Sequence, residues 1–315
     1  MGATDASLPD LFPGFDATTL SVDGIDIFCR TGGNGPPMLL LHGYPQSHAM
    51  WHRIAPGLAD HFTLVMPDLR GYGQSSAPQD DADHTAYSKR VMATDMVALM
   101  ASLGHEQFHL VGHDRGARVG YRLALDSPEA VERLAVLDIV PTHAMWTDFT
   151  VGLAMATYHW LFLAQPHPMP ETLIAANPDY YLDHTIASWT KARDLSAIDP
   201  RALEHYRAAF RQPERIHAMC ADYRAGQTTD FETDSADVAA GRKITCPLLA
   251  VWGQTGIPSK MGIDDATVED DPLTVWKRWA TDVTGLGIDS GHFVAEENPS
   301  ATLDALLAHF LPATT

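Results

Sequence analysis

Residues 109–126 read HLVGHDRGARVGYRLALD. The run His109 to His113 has the make-up of a short buried strand. Arg115 to Asp126 has the make-up of a helix, stopped by Ser127-Pro128. A strand that turns straight into a helix is half of a βαβ unit and predicts a parallel sheet. The same alternation extends on both sides. Upstream, Asp23-Gly24 marks a hairpin inside Leu20 to Arg30. Pro37 to His42 and Phe62 to Pro67 read as continuous apolar strands, with helix expected over Met50 to Asp60 and Tyr87 to Leu103. Downstream, Leu134 to Val140, Pro247 to Trp252 and Val283 to Ile288 read as strands, with helices around Val275 and Leu303. From Thr142 to about Asp237 strand patterns vanish. That stretch reads as helical, rich in His, Trp and Tyr, and broken by prolines at 166, 168, 170, 178, 200 and 213. The expected fold is α/β: a mostly parallel sheet with helices on both faces. It is built from residues 1–141 and 238–315, with a helical cap inserted at 142–237.

The chain has 315 residues, 45% hydrophobic and 19% charged, which is a globular balance. Twenty-one basic residues against 40 acidic ones leave a net charge of −19. No nucleic-acid or anionic-membrane partner is expected of such a chain. Its three cysteines, Cys29, Cys220 and Cys246, make neither a disulfide framework nor a thiolate metal site. The first residues, MGATDASLPDLFPGF, carry no basic stretch followed by an apolar run. With no apolar segment of 18 residues, a cytoplasmic protein is expected.

The chemistry centres on Gly112-His113-Asp114-Arg115-Gly116. This is a G-x-nucleophile-x-G elbow between strand and helix. Asp114 then sits at the N-terminus of a helix, where an ionised carboxylate is favoured. A carboxylate so presented attacks an sp³ carbon and forms an ester. An Asp at this place also caps helices, but the two glycines and the preceding strand favour the elbow. His42-Gly43-Tyr44-Pro45 follows another apolar strand. Its Tyr44 N–H and the Arg115 N–H are the expected oxyanion donors. Among 16 histidines, His292 in Ser290-Gly291-His292-Phe293 stands out because it follows the last strand. The residues after Trp252 are Gly253-Gln254-Thr255-Gly256, with no carboxylate. Asp138, near the end of an apolar strand, is therefore the expected partner of His292. Arg115 and Arg118 crowd the start of the elbow helix, where cations are disfavoured. They point to a bound anion, and a carboxylate fits the guanidinium fork. His105-Glu106-Gln107-Phe108-His109 has the H-E-x-x-H spacing of a zinc helix, but it follows a helix stop and leads into a strand. No metal is expected, and no nucleotide fingerprint is present.

HGYPQSHAMWHRIAP at 42–56, PDLRGYGQSS at 67–76, GHDRGARVGYRLALDSP at 112–128, LAVLDIVPT at 134–142 and SGHF at 290–293 together resemble the α/β-hydrolase superfamily. With YHW at 158–160 they resemble most the fluoroacetate dehalogenases. The resemblance implies that Asp114 displaces halide from a 2-haloacetate, that His292 activates water against the ester, and that Asp138 is the acid. It implies that Arg115 and Arg118 hold the substrate carboxylate and that His159, Trp160 and Tyr223 bind the halide. It also implies that His113 and Trp189 line the pocket, that no cofactor is used, and that the protein is a homodimer. Residues 254–271 depart from the family by a longer, more acidic loop. Epoxide hydrolases share the Asp nucleophile and the DLRGYGxS stretch. That reading stays open, with haloalkane dehalogenation third and a silent hydrolase fold serving as a binding protein beyond it. The arginine pair favours an anionic substrate.

Overall fold

The computed structural model describes residues 8–147, 149–260 and 271–311. Residues 261–270, most of the long acidic loop, lie outside the described residues. Eight strands form one sheet: β1 (Asp16–Val22), β2 (Ile25–Gly32), β3 (Pro37–Leu41), β4 (Thr63–Pro67), β5 (Phe108–His113), β6 (Val131–Leu137), β7 (Leu248–Gly253) and β8 (Val283–Ile288). Their order is β1-β2-β4-β3-β5-β6-β7-β8. β1 and β2 pair antiparallel through a turn in which Asp23 and Gly24 both have positive φ, at 47° and 87°. β2 also runs antiparallel to β4, and every pair from β4 to β8 is parallel.

The connecting helices are α1 (Ala55–Ala59), α2 (Lys89–Ser102) and α3 (Arg115–Asp126), with α12 (Pro272–Trp279), α13 (Val294–Glu297) and α14 (Pro299–Phe310) near the end. The chain steps one way from β3 to β4 and the other way from β4 to β5. Right-handed crossovers therefore put α1 and α2 on opposite faces. α2 lies against α3 on one face, and α1 meets α14 on the other. The reversal makes the carboxyl ends of β3 and β5 the switch point, the place where open α/β sheets bind ligands.

Between β6 and β7 the described residues contain no strand. They form α4 (Thr142–Thr147), α5 (Val151–Ala156), α6 (Tyr158–Leu163), α7 (Met169–Ala175), α8 (Pro178–Trp189), α9 (Pro200–Phe210), α10 (Pro213–Gln227) and α11 (Thr229–Ala240). α7 to α10 each carry a proline in the first turn, where its missing N–H costs nothing. One buried apolar cluster runs from Leu39, Leu110 and Val136 in the sheet to Leu163, Ile186 and Phe210 in these helices.

Two elements differ from expectation. The helix expected over residues 50–60 is a 3₁₀ turn, His48–Trp51, and the single turn of α1. Pro56 lies in the first turn of α1, and its ring would clash with the carbonyl four residues back in a longer helix. The sixth strand ends at Leu137 rather than Val140, because Asp138 turns away at φ 51°. His105 is outside any helix and His109 is on β5, so the H-E-x-x-H spacing is not a helical pair. All three cysteines are free, and no described helix is long and apolar enough to cross a membrane.

The elbow glycines act by their lack of a side chain rather than by positive φ. A Cβ on Gly116 would stand 2.3 Å from the His42 carbonyl oxygen and 2.4 Å from that of Leu41. Neither oxygen can yield without breaking the approach of β3 to α3. Gly116→Ala is expected to cost about 1–3 kcal/mol or more, read as a fall of several degrees in Tm. An unchanged Tm would mean that strand and helix approach each other less tightly than these distances require.

Candidate active site

The switch point brings four chain segments together. β5 ends at His113, and Asp114 follows with φ 46° and ψ −118°, a strained conformation for a residue with a side chain. Its carboxylate Oδ1 accepts the Tyr44 N–H at 2.9 Å, just past β3. Gly43 lies so close that a Cβ there would come 2.8 Å from the Arg115 nitrogen. The two segments bearing the expected oxyanion donors are thus in contact. Burial opposes ionisation of Asp114, but facing His292, with Arg115 and Arg118 nearby, holds the carboxyl below the ordinary carboxylate range.

His292 is fully buried in the loop between β8 and α13. Its Nδ1–H donates to Asp138 Oδ2 at 2.6 Å, and its Nε2 has no partner among the described residues and lies 3.8 Å from Asp114 Oδ2. The bond to Asp138 aims Nε2 at Asp114. Burial pulls His292 down, but Asp138 and then Asp114 raise it above the ordinary imidazole value. Asp138 is itself held by the Gly253 N–H at 2.8 Å and the Ile257 N–H at 3.2 Å. The segment after β7 that lacks a carboxylate therefore supplies donors to the one after β6.

The two arginines differ. Arg115 sends Nε and Nη2 to Asp222 and Nη2 also to the Asp222 carbonyl, leaving Nη1 buried without a partner among the described residues. Arg118 donates Nη1 to Val140 O at 2.9 Å and Thr142 Oγ1 at 3.0 Å, and its Nε has no partner among them either. Among the described residues no carboxylate lies within ion-pair reach of Arg118, although it is 2% exposed. Its guanidinium stands 4.5 Å from the Trp160 ring, and that of Arg115 stands 4.2 Å from the Tyr223 ring.

The remaining expected residues converge from the inserted helices. His159 and Trp160 on α6 and Tyr223 on α10 are buried, with His159 5.7 Å and Trp160 5.8 Å from the Tyr223 ring. Both His159 ring nitrogens and the Tyr223 hydroxyl lack partners among the described residues. Burial lowers His159 to about 3, so it is neutral at pH 7, and Tyr223 is raised well above the ordinary phenol value. Trp189 bridges His159 at 4.3 Å and His292 at 5.4 Å. His113 donates Nε2–H to the His292 carbonyl at 2.9 Å, and burial followed by the His292 charge lowers it to about 3.

Sequence reasoning missed three charged residues that hold the site together. Asp222, beside Tyr223, takes Arg115, Lys89 Nζ and the Tyr72 hydroxyl together. A carboxylate within the apolar run Met219-Cys220-Ala221 was its one visible signal. Lys89, buried on α2, gave none. Glu297 accepts the N–H groups of Gly291, Phe293 and Lys191 at 2.9, 2.9 and 2.7 Å, fastening the His292 loop to the segment after α8.

A family model described as alpha/beta hydrolase fold matches residues 36–299. The chain belongs to the α/β-hydrolase family. Within it, the chain falls with the fluoroacetate dehalogenases, being 43% identical to the fluoroacetate dehalogenase of Burkholderia sp over 96% of this chain and 95% of the relative. It is also 31% identical to the soluble epoxide hydrolase of Corynebacterium sp. (strain C12) over 92% of this chain and 96% of that one. A solved α/β-hydrolase structure from Nostoc sp PCC 7120 superposes with a TM-score of 0.87 at 49% identity, covering 94% of this chain and 97% of the other.

Because Asp138 is the largest support against the effect of burial, Asp138→Asn is expected to lower the His292 pKa. Histidine-labelled NMR titration measures it. An unchanged value would show that the carboxylate at 2.6 Å does not set the charge of the ring.

Proposed function

We propose that this protein hydrolyses 2-haloacetates, taking fluoroacetate to glycolate and fluoride. The observation that carries the reading is Arg118: a buried guanidinium four residues after Asp114, satisfied by a carbonyl and a hydroxyl but by no described carboxylate. A substrate carboxylate supplies the missing anion, with the free Nη1 of Arg115 as a second donor. The name of the Burkholderia relative agrees. An uncharged epoxide or haloalkane would leave Arg118 without a counter-charge, which ranks those readings lower.

In this mechanism Asp114 Oδ2 attacks the carbon that carries the halogen. The carbon–halogen bond breaks, halide leaves with the electron pair, and an ester joins Asp114 to the acetate unit. His292 Nε2 takes a proton from water, whose oxygen attacks the Asp114 Cγ. The charge that develops on Oδ1 meets the Tyr44 N–H, already placed at 2.9 Å, and the Arg115 N–H. Collapse expels glycolate, whose oxygen takes the proton from His292, and the second water proton is lost as Asp114 returns to a carboxylate with one oxygen from water. Fluoride is a poor leaving group whose developing charge is strongly hydrated in water, so a dry site must replace that water with fixed donors. The Tyr223 hydroxyl, the one N–H of neutral His159 and the Trp160 indole N–H are the donors proposed. The inserted helices act as a cap over this site, with His113 and Trp189 as pocket walls. We place the enzyme in the cytoplasm, a reading that its three free thiols support. The homodimer is proposed too, with exposed Val151, Met155 and Tyr180 on the insert as apolar surface for a second copy.

His292→Ala, exposed to a haloacetate, is expected to accumulate a carboxymethyl ester on the peptide carrying Asp114. Adding Arg118→Leu should slow its appearance by about tenfold to a hundredfold, the value of a charged hydrogen bond. Mass spectrometry reads both. An adduct on another residue rejects the nucleophile, and equal labelling with Arg118→Leu rejects the anion clamp.

Tyr223→Phe keeps the ring and removes the donor. Defluorination should fall more than dechlorination, by up to about two or three orders of magnitude for a lost transition-state donor. An unchanged ratio of single-turnover rates for fluoroacetate and chloroacetate would take Tyr223 out of halide binding.

A further inference from the structure

We propose that His167, Glu171 and His217 bind one transition-metal dication of the zinc class, at a site separate from Asp114 and His292. One ligand atom from each of the three lies within 4.8 Å of the others. His217 Nδ1 is 3.1 Å and His167 Nδ1 is 3.3 Å from Glu171 Oε1, and the two rings stand nearly perpendicular with centroids 5.2 Å apart. Two imidazoles and one carboxylate are a borderline donor set that suits zinc and its neighbours in the transition series. Calcium and magnesium prefer oxygen alone.

The surroundings support an ion rather than a plain ion-pair cluster. Glu171 Oε1, which both imidazoles face, is shared with Arg224 Nη2 at 2.8 Å, while Oε2 is buried with no partner among the described residues. A turn of the carboxylate would bring that second oxygen to the ion while Arg224 stays on the first. Behind His217, Asp80 Oδ2 lies 3.6 Å from Nε2 and is itself bonded to His84 Nδ1 at 2.6 Å. A carboxylate behind the far nitrogen of a histidine is the usual outer partner of a metal ligand, because it fixes which nitrogen carries the proton. His167 is largely exposed, which opens the cluster to solvent.

The placement gives the site a structural role. His167 and Glu171 lie at the start of α7, His217 is in the second turn of α10, and Asp80 is in the loop before α2. An ion there would join two inserted helices beside a loop of the α/β core. α10 also carries Asp222 and Tyr223, roughly 8 and 9 Å farther along the helix at about 1.5 Å per residue.

Titration of the tag-free protein with zinc chloride at neutral pH, by calorimetry and metal analysis, is expected to show one zinc per chain. Zinc should also raise Tm by several degrees, since a ligand of the folded state stabilises it. Cobalt(II) in its place should give the visible absorption of a four-coordinate ion. The His167→Ala/His217→Ala variant should fold, as circular dichroism checks, and lose all three signals. If that variant is unfolded, His167→Ala alone, at the exposed ligand, should weaken zinc binding at least tenfold. Absence of saturable binding to the parent protein overturns the proposal. So does stoichiometric zinc retained by the folded double variant, which would put the ion elsewhere on this acidic chain. A Tm that depends on pH but not on zinc would make the cluster an ion-pair network only and overturn it equally.

Discussion

Asp114 is buried and held ionised without closing a salt bridge to either neighbouring guanidinium, and much of the molecule follows from that constraint. A buried carboxylate next to two guanidiniums would ordinarily close a salt bridge and lose its nucleophilic lone pair. Here Arg115 is drawn away by Asp222, and Arg118 is held by Val140 O and Thr142 Oγ1. The cations still act on Asp114 through space, after burial and His292, and keep it ionised. The Tyr44 N–H donates to Oδ1, leaving Oδ2 facing His292 Nε2. Asp222 in turn is held below the carboxylate range against burial by Arg115 and Lys89. The charge on Asp114 therefore rests in part on a lysine on α2 that never meets it.

The sheet and the inserted helices divide the work. Strand ends supply Asp114, Asp138, Tyr44 and the His292 loop, all fixed by the register of parallel pairs. The insert supplies His159, Trp160, Tyr223 and Asp222. The two parts are joined by polar bonds as well as by apolar packing. The His292 N–H donates to the Trp189 carbonyl at 2.9 Å, and Glu297 gathers N–H groups from both sides. A shift of α8 relative to the sheet would thus move the histidine as well as the walls around it.

The elbow is legible in the sequence because two glycines around an Asp, between an apolar strand and a helix, suit a tight turn that few ordinary helix starts require. Asp138 is legible because a carboxylate beside an apolar strand needs a partner. The hairpin, the parallel strands and the proline-punctuated helices are readable for the same local reasons. What escapes is non-local. The partner of Arg115 lies 107 residues away on α10, and nothing in the spacing of Asp222 points to it. Glu297 is hidden because its three bonds go to backbone N–H groups, which leave no trace in side-chain pattern. His159, Trp160 and Tyr223 come from family resemblance alone, since aromatic residues on helices are usually core. The single turn of α1 reads as a full helix when apolar spacing is weighed above Pro56.

Electrostatic coupling between Asp114 and His292 also sets an order of events. In the resting site the Asp114 charge is among the influences that raise the His292 pKa. Once the side chain becomes an ester, under the proposed mechanism, that negative charge is gone while Asp138 and the buried surroundings remain. The imidazole then gives up its proton more readily, at the moment when a neutral ring is needed to accept one from water. In that proposed sequence alkylation would arm the base, and regeneration of the carboxylate would disarm it. The histidine would keep time with the covalent state of its neighbour without any movement of the chain.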